Sequence, residues 1–252
     1  MTSPTPSAPG PAARPPVYRR LDGKEILKTT SLLTQRVGER FPDSNLARVC
    51  AELEGVVAET ELRCRWIARP MVPLRAAIAL LGLLIVSGLA LSLSRIEVPP
   101  GALVLTELIQ VLEAGINDVV LIGLAVAFLV TAEARIKRAK ALRALHELRA
   151  LAHVIDMHQL TKDPERIIGR GDGDTPSSPR RTLTPFQLVR YLDYSSEMLA
   201  LIAKTAALYA QRLADPVVLA SVNEIEQLAT NLAQTIWQKI TTVEVYQERQ
   251  GG

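Results

Sequence analysis

The 252-residue chain carries 29 Lys and Arg against 26 Asp and Glu, for a net charge of +3, and 48% of it is apolar. Its mean hydropathy of +0.16 is high for a water-soluble protein and low for a polytopic transporter, which fits a few membrane spans carrying a larger water-facing part. Nucleic-acid binding is disfavoured, because the basic residues gather beside apolar runs and not along a face interleaved with aromatics.

Residues 1–21 open with MTSPTPSAPGPAARPP. This stretch is too poor in apolar side chains to offset its ordering entropy, so a disordered tail is expected. No apolar core follows Arg19-Arg20, so no cleavable signal is expected and the first apolar run acts as a signal-anchor. Residues 22–69 read as two cytoplasmic helices. The first opens at Asp22, where Asp22-Gly23-Lys24-Glu25 has capping-box spacing, and ends near Phe41-Pro42. Asp43 or Ser44 caps the second. Its Leu46, Cys50 (or Val49), Leu53, Val57, Thr60, Cys64 and Ile67 step by three and four in a heptad-like seam. Cys50 and Cys64 lie about 21 Å apart by helical rise, too far to bridge within one chain. They are read as reduced thiols, a bridge between two copies being the alternative.

The two prolines of Arg69-Pro70-Met71-Val72-Pro73 interrupt the helix. The first transmembrane helix is assigned to residues 70–94. Its uncharged run AAIALLGLLIVSGLALSLS spans about 28 Å, close to the hydrocarbon thickness of a bilayer. Residues 95–117 form the external loop, with a turn at Glu97-Val98-Pro99-Pro100-Gly101 and then an amphipathic helix. Glu107, Gln110, Glu113 and Asn117 share one face of that helix. It lies in the outer interface if Asn117 or Asp118 caps a new helix. Alternatively, residues 102–132 are one long tilted helix whose four polar residues line a pore. The second transmembrane helix occupies residues 118–134. Gly88-xxx-Ser92 and Gly123-xxx-Ala127-xxx-Thr131 put small residues on one ridge of each span, suited to close helix contact between the spans or between protomers.

Charge sets the orientation. Arg63, Arg65, Arg69 and Arg75 precede the first span, and Arg135, Lys137, Arg138, Lys140 and Arg143 follow the second. The connection holds Arg95 alone against Glu97, Glu107, Glu113 and Asp118. The positive-inside rule then makes both termini cytoplasmic, with the protein integral to the cytoplasmic (inner) membrane. Arg69, Arg75, Arg135, Lys137 and Arg138 are expected to contact anionic headgroups, each contributing about 1 kcal/mol.

Residues 135–161 continue the second span as a cytoplasmic helix carrying Leu145, Leu148, Ala152 and Ile155 at core spacing. Residues 162–183 read as a flexible loop. Its Arg170-Gly171-Asp172 is no adhesion motif in a cytoplasmic setting, and Asp172 and Asp174 lack the further ligands of a calcium loop. Residues 184–248 are a helical hairpin. Its first helix has Thr184 as N-cap, Pro185 at the first position and Gln187 completing the box. The seam of that helix is Leu188, Leu192, Ser195, Leu199, Ile202, Ala206, Tyr209 and Leu213. Asp215-Pro216 opens the last helix, with Val218, Val222, Ile225, Ala229, Leu232, Ile236 and Val243 at core spacing and Lys239 breaking the pattern. The hairpin and the helices at 43–69 and 133–160 predict an antiparallel four-helix bundle.

Chemistry is sparse. His146, His153 and His158 fall on one helix, and one face supplies too few converging ligands for a metal site. No phosphate loop surrounds Gly23-Lys24, and no GxSxG, HExxH or GxGxxG occurs. Tyr191 to Met198 (YLDYSSEM) reads as the amphipathic rim of a helix, with a binding patch as the alternative. The expectation is an all-α membrane protein, a two-span transmembrane hairpin with a cytoplasmic antiparallel helical bundle, without enzymatic activity or cofactor. It is a membrane-anchored scaffold or interaction protein that self-associates through its coiled-coil-like bundle and meets a cytoplasmic protein partner. The alternative is a small oligomeric channel or pore-forming protein.

Overall fold

The computed structural model describes residues 20–94, 105–162, 164 and 183–251. These contain six helices and no strand: α1 (Gly23–Arg40), α2 (Asn45–Ala68), α3 (Val72–Ser94), α4 (Leu105–Leu160), α5 (Pro185–Arg212) and α6 (Pro216–Gly251). The expected tail up to residue 19, the turn at Glu97 to Gly101 and the loop carrying Arg170-Gly171-Asp172 lie outside the described residues.

Local chemistry accounts for the helix ends. Asp22 accepts the Lys24 N–H at 2.9 Å, but among the described residues Glu25 makes no return bond, so a single cap replaces the expected box. Asp43 has φ +58, a left-handed conformation that aspartate tolerates better than most residues. That turn leaves Ser44, not Asp43, to cap α2 by accepting the Ala47 N–H at 3.1 Å. The Thr184 and Gln187 bonds form the full reciprocal box at 3.2 and 2.9 Å. Asp215 accepts the N–H groups of Val217 and Val218 at 3.0 and 3.3 Å.

The seven positions of the α2 seam are its buried residues, Leu46, Cys50, Leu53, Val57, Thr60, Cys64 and Ile67. Helix α5 is central, packing on α1, α2, α4 and α6. This centrality corrects the assignment of YLDYSSEM to a rim. Tyr191, Tyr194, Ser195 and Met198 are all buried, and Phe41 meets the two tyrosine rings edge-on at 5.8 and 6.3 Å. Ser195 donates to the Tyr191 carbonyl at 2.9 Å. The Tyr209 hydroxyl donates to Thr60 at 3.2 Å, and Thr60 donates to the Val56 carbonyl at 2.8 Å, so a satisfied polar chain ties α5 to α2. Helix α1 joins this core through Ile26, Thr30, Leu33 and Val37. Five helices therefore surround the interior, where four were expected.

Cross-helix bonds fix the directions. Arg63–Glu147 and Trp66–Lys140 run α2 antiparallel to the second half of α4. Arg138–Asp215 and Arg149–Glu224 run α6 parallel to it. Lys239 explains its own break in the apolar pattern. Its Nζ donates at 3.0 Å to the carbonyl of Gln159, one of the last carbonyls of α4, which have no partner within their own helix.

The apolar segments behave differently. Helix α4 is continuous for 56 residues, about 84 Å. The helix start expected at Asn117 or Asp118 is therefore absent, because no proline or glycine pair there interrupts the hydrogen-bond ladder. In α3 and the first half of α4 the large apolar side chains stand exposed: Val86 at 65%, Val119 at 66% and Leu124 at 68%. Two helices are long and apolar enough to span a membrane, and neither apolar stretch is buried within the chain. A Cβ placed on Gly88 or Gly123 would meet nothing within 4 Å, so neither glycine sits at a close helix contact among the described residues.

Candidate functional site

The residues between the apolar hairpin and the helical core form a charged collar. Glu133 is the first ionisable residue after the apolar run of α4. It accepts from Lys137 Nζ at 2.7 Å, from Arg75 Nε at 3.2 Å and from the Met71 N–H at 3.4 Å. The proline-broken link between α2 and α3 is thereby pinned to α4. One turn further, Arg138 pairs with Asp215 at 2.6 Å. The Arg138 guanidinium and the two N–H bonds of the α6 start hold the Asp215 carboxyl below its ordinary range. Next, the Lys140 ammonium lies 3.9 Å above the Trp66 ring, a cation–π contact. Arg63 completes the series, bonded to Glu147 at 2.5 Å and Glu59 at 2.6 Å.

This arrangement divides the five residues expected at lipid headgroups. Arg75, Lys137 and Arg138 each bond a carboxylate of the same chain. Arg69 and Arg135 are exposed and form no ion pair among the described residues. Sequence reasoning counted only the basic residues here and missed Glu133 as their organiser. The available signal was a lone acid four residues before Lys137, the spacing of a helical ion pair. Asp215 was recognised as a cap but not as the partner of Arg138, since that pair joins residues far apart in the chain.

The four polar residues proposed for a pore, Glu107, Gln110, Glu113 and Asn117, all lie in the first four turns of α4. Glu113 and Asn117 are exposed. Helix α3 bears no charge beyond Arg75, so it offers no matching acidic stripe. His146 and His153 are exposed and His158 is half-buried. Among the described residues no group of three His, Cys, Asp or Glu converges on a metal-sized site. Cys50 and Cys64 are buried, free thiols. Burial pushes the Cys64 thiol up to about 11, which suppresses the nucleophilic thiolate. Compared with known protein families, with curated proteins and with solved structures, the chain matches none.

Proposed function

We propose that this protein is a membrane-anchored helical scaffold, inserted as a two-helix hairpin with its core and both termini on the cytoplasmic side of the inner membrane. The observation that carries this reading is the exposed, uncovered apolar surface of α3 and α4, ended on one side by the collar. A surface of that size has no stable home in water, while hydrocarbon accepts it without penalty. The collar supports the orientation. Basic residues crowd the Glu133 end, whereas Glu107, Glu113 and Asp118 occupy the other.

The heptad seams support an intramolecular role, being filled by the chain's own helices. Self-association then falls to the hairpin, where Gly88 and Gly123 leave room for a neighbouring helix. The exposed cytoplasmic faces remain for a protein partner. Extraction of the membranes with alkaline carbonate tests the anchor: the protein should stay in the pellet. Release into the supernatant would overturn the reading.

The continuity of α4 favours a second reading, the oligomeric pore. Glu113 stands twenty residues before Glu133, about 30 Å along the axis and thus one hydrocarbon thickness away. Glu107, Gln110 and Glu113 would then ring an outer mouth, and Asn117 would be the only one of the four inside the bilayer. Replacing Glu107 and Glu113 by alanine should reduce cation flux through reconstituted liposomes. Absence of any flux from the native chain removes the pore.

A further inference from the structure

The α1–α2 turn, the end of α4 and the start of α5 border a small cavity. It holds about 210 Å³, less than the roughly 300–1,000 Å³ of a site for a drug-sized ligand. Among the described residues no carboxylate lines it. Its polar walls are Ser44 and Asn45 at the start of α2, His158, Thr161 and Lys162 at and just beyond the end of α4, and Tyr191 of α5. Tyr191 is only 6% exposed. Its hydroxyl has no hydrogen-bond partner among the described residues, yet it is not sealed in, since the one enclosed unpartnered side-chain atom among them is Gln159 Oε1. The hydroxyl therefore opens into the cavity. Burial pushes it up to about 12, so it keeps its proton and can donate.

The other walls also offer donors. The Lys162 ammonium lies 5.4 Å from the centre of the Tyr191 ring and forms no ion pair among the described residues. Ser44 accepts the Ala47 N–H at 3.1 Å, so its own proton stays free. Arg48 takes the Asn45 carbonyl oxygen, which leaves the amide NH2 to donate. Helix polarity agrees with this donor set. The cavity lies at the N-terminus of α2, where unbonded N–H groups and the macrodipole favour an anion. The C-terminus of α4 also ends here, but the carbonyls that would repel an anion are engaged. The His158 carbonyl accepts from the Thr161 hydroxyl at 3.5 Å, and the Gln159 carbonyl accepts from Lys239 Nζ and the Lys162 N–H, both at 3.0 Å.

We propose that this cavity binds a tetrahedral oxyanion of the phosphate class, held by the Tyr191 hydroxyl, the Lys162 ammonium and the start of α2. His158 stands twenty-five residues beyond Glu133, about 38 Å along α4. With the membrane boundary proposed above, that is out of reach of lipid headgroups, so the phosphate is free or carried on a small soluble molecule.

Full-length protein in mild non-ionic detergent, titrated calorimetrically with inorganic phosphate at constant ionic strength, should bind a single ion with a Kd of about 1 mM or below. No bilayer is present, so the result does not depend on the anchor. Tyr191→Phe keeps the ring and removes the donor, and Lys162→Gln removes the charge. Each should weaken binding about tenfold or more, with far-UV circular dichroism unchanged. Arg212→Gln, at the far end of α5, should leave the affinity as it is. Dihexanoyl phosphatidic acid should bind more weakly than inorganic phosphate, because its chains do not fit the cavity. Absence of a saturable heat overturns the proposal. So does an equal loss in Arg212→Gln, which would mark diffuse attraction to a basic protein. Tighter binding of the phosphatidic acid than of phosphate would assign the cavity to a lipid headgroup and overturn the soluble ligand.

Discussion

One helix, α4, carries two different surfaces. Over residues 119–132 the sequence is apolar on every face, and Val119, Val120, Leu124 and Phe128 stand in the open, Phe128 at 64% exposure. Over residues 141–155 the buried apolar residues form one stripe, Ala141, Ala144, Leu145, Leu148, Leu151, Ala152 and Ile155, while Arg143, His146 and His153 are exposed. Backbone geometry is the same in both halves, so the difference lies in the side chains alone. A one-sided stripe suits a helix with water on its far side, and an all-round apolar surface suits a helix with lipid there. The change takes place between Glu133 and Lys140, within the collar.

The sharpest test of this contrast is a pair of truncations. Leu148→Ala, at a fully buried position, should cost about 2–5 kcal/mol in unfolding followed by circular dichroism in mild detergent. Leu124→Ala, at an exposed one, should stay within about 0.5 kcal/mol. Equal losses would mean that the hairpin is as tightly packed as the core, through contacts with other copies.

The collar offers the next largest effect. Arg69→Gln with Arg135→Gln should weaken binding of anionic phospholipid to the detergent-solubilised protein by about thirtyfold at low salt, two charges at about 1 kcal/mol each. The pair Arg75→Gln with Arg138→Gln should weaken it less, because those guanidinium groups already face Glu133 and Asp215. If the two doubles are equivalent, the internal ion pairs do not hold in solution.

Much of this contrast was legible in the sequence, and the parts that were not share a physical cause. Spacing alone gave the seven core positions of α2, because that helix buries one face against its neighbours. It misjudged Tyr191, Tyr194 and Met198, because α5 is enclosed on several sides and a single-stripe rule fails for an enclosed helix. Capping chemistry located the starts of α5 and α6, where Thr184 and Asp215 bond the first free N–H groups. The same logic failed at Asn117, since a residue suited to capping still sits within a helix when nothing upstream stops the ladder. Glu133 and Lys239 take their roles from partners on other helices, Arg75 and the Gln159 carbonyl, and such pairings leave no local periodicity to read.

Asp215 separates cap from charge at the base of the core. Asp215→Ala removes both and should cost about 0.5–2 kcal/mol from the cap alone. Asp215→Asn keeps a capping oxygen and removes only the pairing with Arg138. The folded carboxyl titrates below its ordinary value of 3.8, so its contribution is fully present above about pH 4 and is lost as pH falls through the lower folded value. The gap between the native chain and Asp215→Asn should be constant from neutral pH to about 4 and narrow only below it. A gap that closes nearer pH 6 would point to a different titrating group.

The smallest expected effect falls where the two surfaces of α4 meet. Lys140 lies over Trp66, and lysine and tryptophan are the residues that anchor a helix at a membrane surface. Lys140→Met keeps the length of the side chain and removes its charge. At an exposed site the lost cation–π contact should cost about 0.5–1 kcal/mol in detergent. With the membrane boundary proposed above, a bilayer would partly desolvate the same pair, which strengthens the attraction of an ammonium for an indole face, toward about 2 kcal/mol. The variant should therefore be more destabilised in nanodiscs than in detergent. Equal losses in the two media would place Lys140 and Trp66 in bulk water and move the membrane boundary toward Glu133.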